Sequence, residues 1–306
     1  YTYISTQEIA ADPDLNAKYD VILFPPAGGN VQSIVQGLPM WRNPMPWKNT
    51  PETPNIGTWA QTDDIRPGLG WTGLMNLDRF ATRGGVLVGV ENTAEFALQY
   101  GFAAGVSGNP PGRSRVVGSL LRSRVVDAAS PIVYGIVDSL AVYSDDGSSF
   151  SVGNTLGGRG GGRFGEAGGR PTGRGTADDP DVVQGRPTLD PRFEAPRRPT
   201  VEAWQAPPLS DDQLRNPLNV IPPDHRPRVA LRFGAQRDLL VSGLLEGGSE
   251  IADRPIVVDV PRGRGHVVLF ATNPVWRGET IGSYFLVFNT ILNHDNLNAG
   301  RKLDER

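Results

Sequence analysis

Strand-like apolar runs alternate with helix-like segments along the first 150 residues. Val21–Phe24 and Val86–Val90 are continuously apolar and rich in β-branched residues, which indicates strands that are buried on both faces. The second run leads directly into residues 91–100, which have the spacing of a helix and end at Gly101. This alternation predicts an α/β domain with a mostly parallel sheet.

The same periodicity predicts the remaining elements of the domain. The predicted strands are residues 1–5 (YTYIS), 116–117, 125–126, 132–134, 140–143, 228–233, 256–260 and 266–271. The predicted helices are residues 31–38, 74–82, 238–245 and 280–293. The last of these helices has apolar residues at the i, i+3, i+4, i+7 spacing that is typical of an amphipathic helix.

Composition divides the chain into four parts. Residues 157–175 contain ten glycines, and prolines recur after them, so this region has too little apolar surface to form a core of its own. We therefore predict one domain that is interrupted by an insertion at residues 153–227, which is flexible or lies along the surface. Residues 1–152 and 228–293 form the two parts of the domain, and residues 294–306 form a loose polar tail.

Charge and residue types exclude several kinds of function. The formal net charge of −3 gives no general attraction to nucleic acid or to an anionic membrane, and we predict neither partner. The chain has no cysteine and only three widely separated histidines, so a zinc site and a thiol nucleophile are not expected. We predict no metal and no cofactor.

The end of the second buried strand is the most informative position for chemistry. A strand, a sharp turn and a helix place Glu91 or Asn92 at the carboxyl end of a parallel sheet, where ligands commonly bind. The Gly28-Gly29 turn follows the first buried strand and belongs to the same edge. We predict Gly28, Gly29 and Asn92 as ligand-binding residues and Glu91 as the only catalytic candidate. The competing interpretation is that Glu91 is a carboxylate favoured by the helix dipole.

Longer stretches of the sequence resemble a known family. Residues 130–143 (SPIVYGIVDSLAVY), 237–248 (RDLLVSGLLEGG) and 263–293 resemble the C-terminal class I glutamine amidotransferase-like domain of bacterial secreted zinc carboxypeptidase-like proteins. The resemblance implies a flavodoxin-like sheet flanked by helices and a secreted, extracellular location. It places Glu91 where the family has its nucleophilic cysteine. The family's zinc ligands lie in a separate N-terminal domain, so no peptidase residue is assigned here.

Three functions follow from these observations. The first is a non-catalytic accessory or scaffolding domain, derived from such a carboxypeptidase-like protein. The second is a self-assembling structural protein that forms an extracellular homo-oligomer or filament. The third is a hydrolase that uses Glu91 near the Gly28-Gly29 turn.

The resemblance also predicts a gap in the sheet. Residues 1–5 and 21–24 resemble the second and third strands of the family, and the strand that lies between them there would precede Tyr1. We expect the gap to be filled by an upstream segment of the precursor or by a strand from another copy. The alternative is a rearranged sheet in which residues 1–5 pair directly with residues 21–24.

Overall fold

The computed structural model describes residues 1–41, 43–56, 61–110, 112–156, 208–215 and 217–301. Most of the predicted insertion, residues 157–207, and the end of the predicted tail, residues 302–306, lie outside the described residues.

The described residues form an α/β structure with short helices and many strands. The helices are α1 (Thr6–Ala11), α2 (Val31–Gln36), α3 (Gly70–Thr82), α4 (Asn92–Gln99), α5 (Asp211–Arg215) and α6 (Ile281–Leu292). The strands in the first half are β1 (Val21–Phe24), β2 (Val86–Val90), β3 (Val106–Asn109), β4 (Arg115–Val116), β5 (Ser119–Val125), β6 (Ser139–Ser144) and β7 (Ser149–Val152). Those in the second half are β8 (Arg228–Phe233), β9 (Leu240–Ser242), β10 (Leu245–Glu246), β11 (Pro255–Arg262) and β12 (Gly265–Phe270). No helix among these residues has the length and apolar character to cross a membrane.

Eight of the strands form one mixed sheet. Its order is β1-β2-β12-β11-β8-β5-β6, and β9 pairs with β5 beside this path. The strands β3 and β7 form a separate antiparallel ribbon, as do β4 and β10. Helices α1 to α4 pack with one another and against β2 and β12, whereas α6 packs against β6 and the turn at Pro131–Val133. The residues of β2 and β12 are all buried, so these two strands lie at the centre of the core.

The expected flavodoxin-like, mostly parallel sheet is not confirmed. Only β1, β2 and β12 run parallel, and the other pairings in the sheet are antiparallel. One cause is the turn at Gly263 and Arg264, since a two-residue connection can join antiparallel neighbours but not parallel ones. The fold is therefore mixed α/β with a core that is mostly sheet.

Residues 1–5 do not form the predicted strand. They lead into α1, where the Ser5 hydroxyl accepts a hydrogen bond from the Glu8 N–H (3.1 Å) and the Glu8 carboxylate accepts one from the Ser5 N–H (2.7 Å). This capping box uses Ser5 to start a helix, so residues 1–5 do not pair with β1 either. Among the described strands, β1 pairs with β2 alone.

The predicted helix at residues 238–245 is also wrong. This segment forms β9 and β10, with Gly243 between them at φ 102°. A side chain at Gly243 would meet the Ser119 hydroxyl at 2.5 Å, so the backbone of this turn approaches β5 closely. Pairing of β9 with β5 outweighs the local helical spacing of the leucines.

The tail is packed as far as Arg301 and is not loose there. Leu297 is buried, and the Arg301 guanidinium donates a hydrogen bond to the Asp259 carboxylate at 2.7 Å. Residues 294–301 therefore belong to the folded domain.

Candidate functional site

Glu91 lies at a strained strand-to-helix turn. It follows the buried strand β2 and precedes α4 with φ 53° and ψ −119°, a conformation that side-chain-bearing residues rarely adopt. Its N–H donates to the Phe270 carbonyl of β12 at 2.8 Å, which fixes the turn to the centre of the sheet. Strain of this kind persists only where the surrounding structure holds it, and it is common at functional sites.

Close packing between β2 and α4 requires a glycine before the turn. A Cβ atom at Gly89 would lie 2.9 Å from the Thr93 carbonyl oxygen and 3.0 Å from the Ala94 Cα atom. Thr93 then joins the ends of two strands, since its hydroxyl accepts from the Val90 N–H (2.8 Å) and lies 2.6 Å from the Phe24 carbonyl. The arrangement of a small residue, a strained residue and a helix is that of a nucleophile elbow with a glutamate at its tip.

The structure brings Asn92 to the loop that contains Gly28 and Gly29. The Asn92 amide accepts a hydrogen bond from the Ala27 N–H (3.1 Å) and donates one to the Ala27 carbonyl (2.5 Å). Its side chain thus holds the β1–α2 loop in place. Gly29 has φ 88° in that loop, and neither glycine lines the cleft beside Glu91, whereas Pro26 and Ala27 do.

A cleft of about 710 Å³ opens beside Glu91. One wall comes from α4, and the opposite wall comes from the β3–β7 ribbon and the loop before β7. The charged residues that line it are all acidic: Glu91, Glu95, Asp145 and Asp146. Ser149 also lines the cleft, and its buried hydroxyl has no hydrogen-bond partner among the described residues. The site therefore combines concentrated negative charge with an unused polar group.

The environment of Glu91 changes its acidity. Burial, and to a smaller extent the negative charges of Asp145 and Asp146, raise the pKa of Glu91 to about 7. A carboxylate favoured by a helix N-terminus would instead have a lowered pKa. The Glu91 side chain also makes no capping hydrogen bond to α4, so the structure does not support the dipole interpretation. Burial and the charge of Asp146 likewise raise the pKa of Asp145.

An aromatic stack lies at the end of β6, next to the acidic residues. The rings of Tyr143 and Trp276 stack with centroids 4.9 Å apart, and the Arg277 guanidinium lies over Trp276 at 4.6 Å. Burial raises the pKa of Tyr143, with smaller contributions from Asp145 and other carboxylates including Glu91. Neither this stack nor the pair Asp145 and Asp146 was predicted from the sequence. The only available signal was two consecutive aspartates after the predicted strand at residues 140–143.

The other chemical groups expected of an enzyme lie elsewhere or are missing. His266 is at the start of β12, at the opposite end of the sheet from Glu91. The chain has no cysteine to act as the nucleophile of an amidotransferase. Within the described ranges, no group of three or more histidine, aspartate and glutamate residues could hold a metal ion.

Comparison with known proteins assigns no family. No protein-family model matches this sequence, and no curated protein matches it. One matching solved structure is cytoplasmic protein STM3548 from Salmonella typhimurium, which is 11% identical with a TM-score of 0.42 over 95% of this chain and 79% of that chain. Another is cytoplasmic protein STM1381 from Salmonella typhimurium LT2, which is 8% identical with a TM-score of 0.38 over 96% of this chain and 78% of that chain.

The described location of these two proteins corrects one expectation. Both are called cytoplasmic, which contradicts the secreted, extracellular location that the sequence resemblance implied. We no longer assign that location.

Proposed function

We propose that this chain is a non-catalytic binding domain with an amidotransferase-like site, and that its acidic cleft holds a positively charged organic ligand. The observation that carries the proposal is the position of Glu91, at a strained turn that faces a cleft whose charged lining is entirely acidic. The origin of the domain in a zinc carboxypeptidase-like protein and its flavodoxin-like ancestry are parts of the same proposal, and they rest on the sequence resemblance.

Acyl transfer is disfavoured by the residues at the elbow. A carboxylate is a much weaker nucleophile toward an amide than a thiolate, and nucleophilic catalysis needs an adjacent base to activate the attacking group. Glu91 has neighbouring carboxylates instead of a histidine. These neighbours raise its pKa and oppose its ionisation, which is the reverse of activation.

A cationic ligand would relieve two unfavourable features of the cleft, which are the repulsion between its carboxylates, and a Ser149 hydroxyl without a hydrogen-bond partner among the described residues. A bound ammonium or guanidinium group would favour the ionised form of Glu91 and screen its repulsion with Asp145 and Asp146. It would also offer N–H donors to the buried Ser149 hydroxyl oxygen. The cleft volume of about 710 Å³ lies within the range of small-molecule sites, so an amine of several carbons fits it.

The second candidate is a hydrolase in which Glu91 exchanges a proton with the substrate. The observation in its favour is the pKa of about 7, because a general acid or base works best when its pKa is near the working pH. If the chain is a hydrolase, the wild type should turn over a substrate and Glu91→Gln should not. If the chain is a binding domain, neither protein should show turnover.

The test is calorimetric titration of the chain at pH 8 with putrescine, spermidine and agmatine, and with 1,4-butanediol as a neutral control. We expect at least one of the amines to bind and the diol not to bind. Glu91→Gln should weaken binding about tenfold or more. The reason is that a partly buried carboxylate contributes more to an ion pair with a bound cation than an exposed carboxylate does. The matched variant is Glu95→Gln, which removes the same charge from an exposed position on the wall of the same cleft and should have a smaller effect.

Binding should also depend on pH in a definite direction. Glu91 is mostly protonated at pH 6 and mostly ionised at pH 8, because its pKa is about 7. Amine affinity should therefore rise between these two values in the wild type and change less in Glu91→Gln. Equal binding of the diol, or no binding of any amine, would contradict the proposal.

A further inference from the structure

Helix α6 exposes its apolar face. Ile281, Phe285, Phe288 and Leu292 follow one another at i, i+4, i+7 and i+11, and they are 68%, 55%, 51% and 75% exposed. We call these four residues the α6 stripe. A surface helix normally buries such a stripe and exposes its polar residues, so the orientation of α6 is the reverse of the usual one.

The buried face of α6 contains polar side chains that find partners inside the fold. Ser283 lies with its hydroxyl 2.5 Å from the Pro274 carbonyl, and the Thr290 hydroxyl donates to the Leu286 carbonyl at 2.7 Å. Both residues are buried, beside Leu286 and Val287. Because these hydroxyls need no water, the helix is fixed with the stripe directed outward.

The exposed stripe is large for a surface that faces water. The four side chains leave about 500 Å² of apolar area accessible, which is near the upper end of what monomeric proteins show. Two such surfaces brought together would remove about 1,000 Å², which is close to the lower limit of specific interfaces before any rim residue is counted.

We propose that the α6 stripe is the contact face between two copies of this chain, with α6 packed against α6 across a two-fold axis. Residues 280–293 contain no charged side chain, so two copies of the helix can approach without like-charge repulsion. In an antiparallel pair, the spacing places Ile281 of each copy near the far end of the other helix and brings Phe285 and Phe288 to the axis. The surface is thus complementary to itself, as a two-fold interface requires. This inference does not depend on the proposed function of the cleft.

Other occupants fit the surroundings of the stripe less well. Helices that lie on membranes carry lysines or arginines on their polar face, whereas α6 has none. The acidic Glu279 and Asp295 flank it instead, and Asp20 lies 3.9 Å from His294. The chain's own segment at residues 157–207 is rich in arginine, glycine and proline, so it offers little continuous apolar surface to cover the stripe.

The first experiment measures the oligomeric state of the whole chain by sedimentation velocity over a series of concentrations. The wild type should form a dimer, and Phe288→Glu should weaken dimerisation by about 100-fold or more because each dimer would bury two unpaired carboxylates. Met75→Glu is the control, since Met75 is 62% exposed on α3 and lies outside the stripe. It should leave the dimer unchanged.

A second experiment tests the geometry without adding a charge. The chain has no cysteine, so Phe288→Cys introduces a single thiol near the expected axis. A short bismaleimide should link this variant into a covalent dimer and should not link Met75→Cys. A wild type that stays monomeric would overturn the proposal, as would a dimer that survives Phe288→Glu. Binding of a monomeric wild type to phosphatidylglycerol vesicles, lost in Phe288→Glu, would also overturn it and assign the stripe to a membrane.

Discussion

The imidazole of His266 lies against the carboxylate of Asp259, with Nδ1 2.6 Å from Oδ1, and both side chains are buried. His266 pairs in register with Val86 at the start of β2, while Glu91 follows the other end of that strand. Since a strand rises about 3.3 Å per residue, roughly 15 Å of sheet separate this histidine from Glu91. The pair anchors the chain and takes no part in the cleft.

We predict that Asp259→Ala destabilises the fold by about 3–5 kcal/mol, because it leaves His266 and Arg301 buried without their shared carboxylate. Burial alone would raise the pKa of Asp259, but the neighbouring His266, Arg301 and Arg228 outweigh burial and lower that pKa. The measurement is urea unfolding. The control is Asp78→Ala, whose pair with Arg262 is partly open to solvent and should contribute about 1 kcal/mol or less. Equal losses in the two variants would refute the anchoring role.

The strained backbone of Glu91 predicts an inversion of the usual order of alanine and glycine. At φ 53°, glycine fits without strain, so Glu91→Gly should be more stable than Glu91→Ala by about 1 kcal/mol. Within helix α4 the usual order applies, so Glu95→Ala should be more stable than Glu95→Gly by about 1 kcal/mol. At each position both variants lack the carboxylate, so the comparison between alanine and glycine does not include the loss of charge. Thermal unfolding measures the stability of all four variants. The same order at the two positions would exclude strain at the elbow.

Local patterns were sufficient for much of the secondary structure. The strands at Val21–Phe24 and Val86–Val90 and the helix near residues 280–293 follow from runs of adjacent residues, and the structure has all three. The direction of strand pairing does not follow from such runs, because it depends on turns and partners that are distant in the sequence. The helix expected at residues 238–245 failed for this reason, since β5 recruits Leu240–Ser242 as a strand.

The candidate site shows the same division. The strand–turn–helix pattern predicted that Glu91 or Asn92 lies at the carboxyl end of the sheet. The structure has Glu91 at the turn and Asn92 hydrogen-bonded to the loop that contains Gly28. The acidic pair Asp145 and Asp146 comes from a loop far along the chain, and only the folded ribbon of β3 and β7 brings it opposite Glu91. The raised pKa of Glu91 depends on burial first and then on the approach of these two aspartates, so no local pattern could predict it.

Gly89 gives a test of how closely β2 and α4 pack. Gly89→Ala places a methyl group 2.9 Å from the Thr93 carbonyl oxygen and should destabilise the fold by about 1–3 kcal/mol. Gly108→Ala is the matched control, because its new methyl group would make an ordinary contact of 3.6 Å with Leu98 and should change stability by less than about 0.5 kcal/mol. Chemical unfolding measures both variants, and a neutral Gly89→Ala would show that α4 can move away from the strand.

The pH dependence of stability gives the most direct test of the state of Glu91. Its pKa rises from 4.5 to about 7 on folding, so the folded chain binds more protons than the unfolded chain between these values. The contribution of the protonated carboxyl to stability is therefore complete below about pH 4.5 and is lost as the pH rises through 7. Because the side chain is only half-buried and solvent screens its charge, we expect a loss of about 1–2 kcal/mol.

Glu91→Gln cannot undergo this loss, because its amide does not ionise. Its stability relative to the wild type should therefore increase by about 1–2 kcal/mol between pH 5 and pH 8, measured by urea unfolding at a fixed ionic strength. Glu95→Gln removes the same charge from the same cleft and controls for the general reduction in negative charge. If the pH profiles of the wild type and Glu91→Gln run parallel, the Glu91 carboxyl is already ionised in the folded protein below neutral pH. In that case neither proton exchange with a substrate nor a rise in amine binding near pH 7 could depend on Glu91.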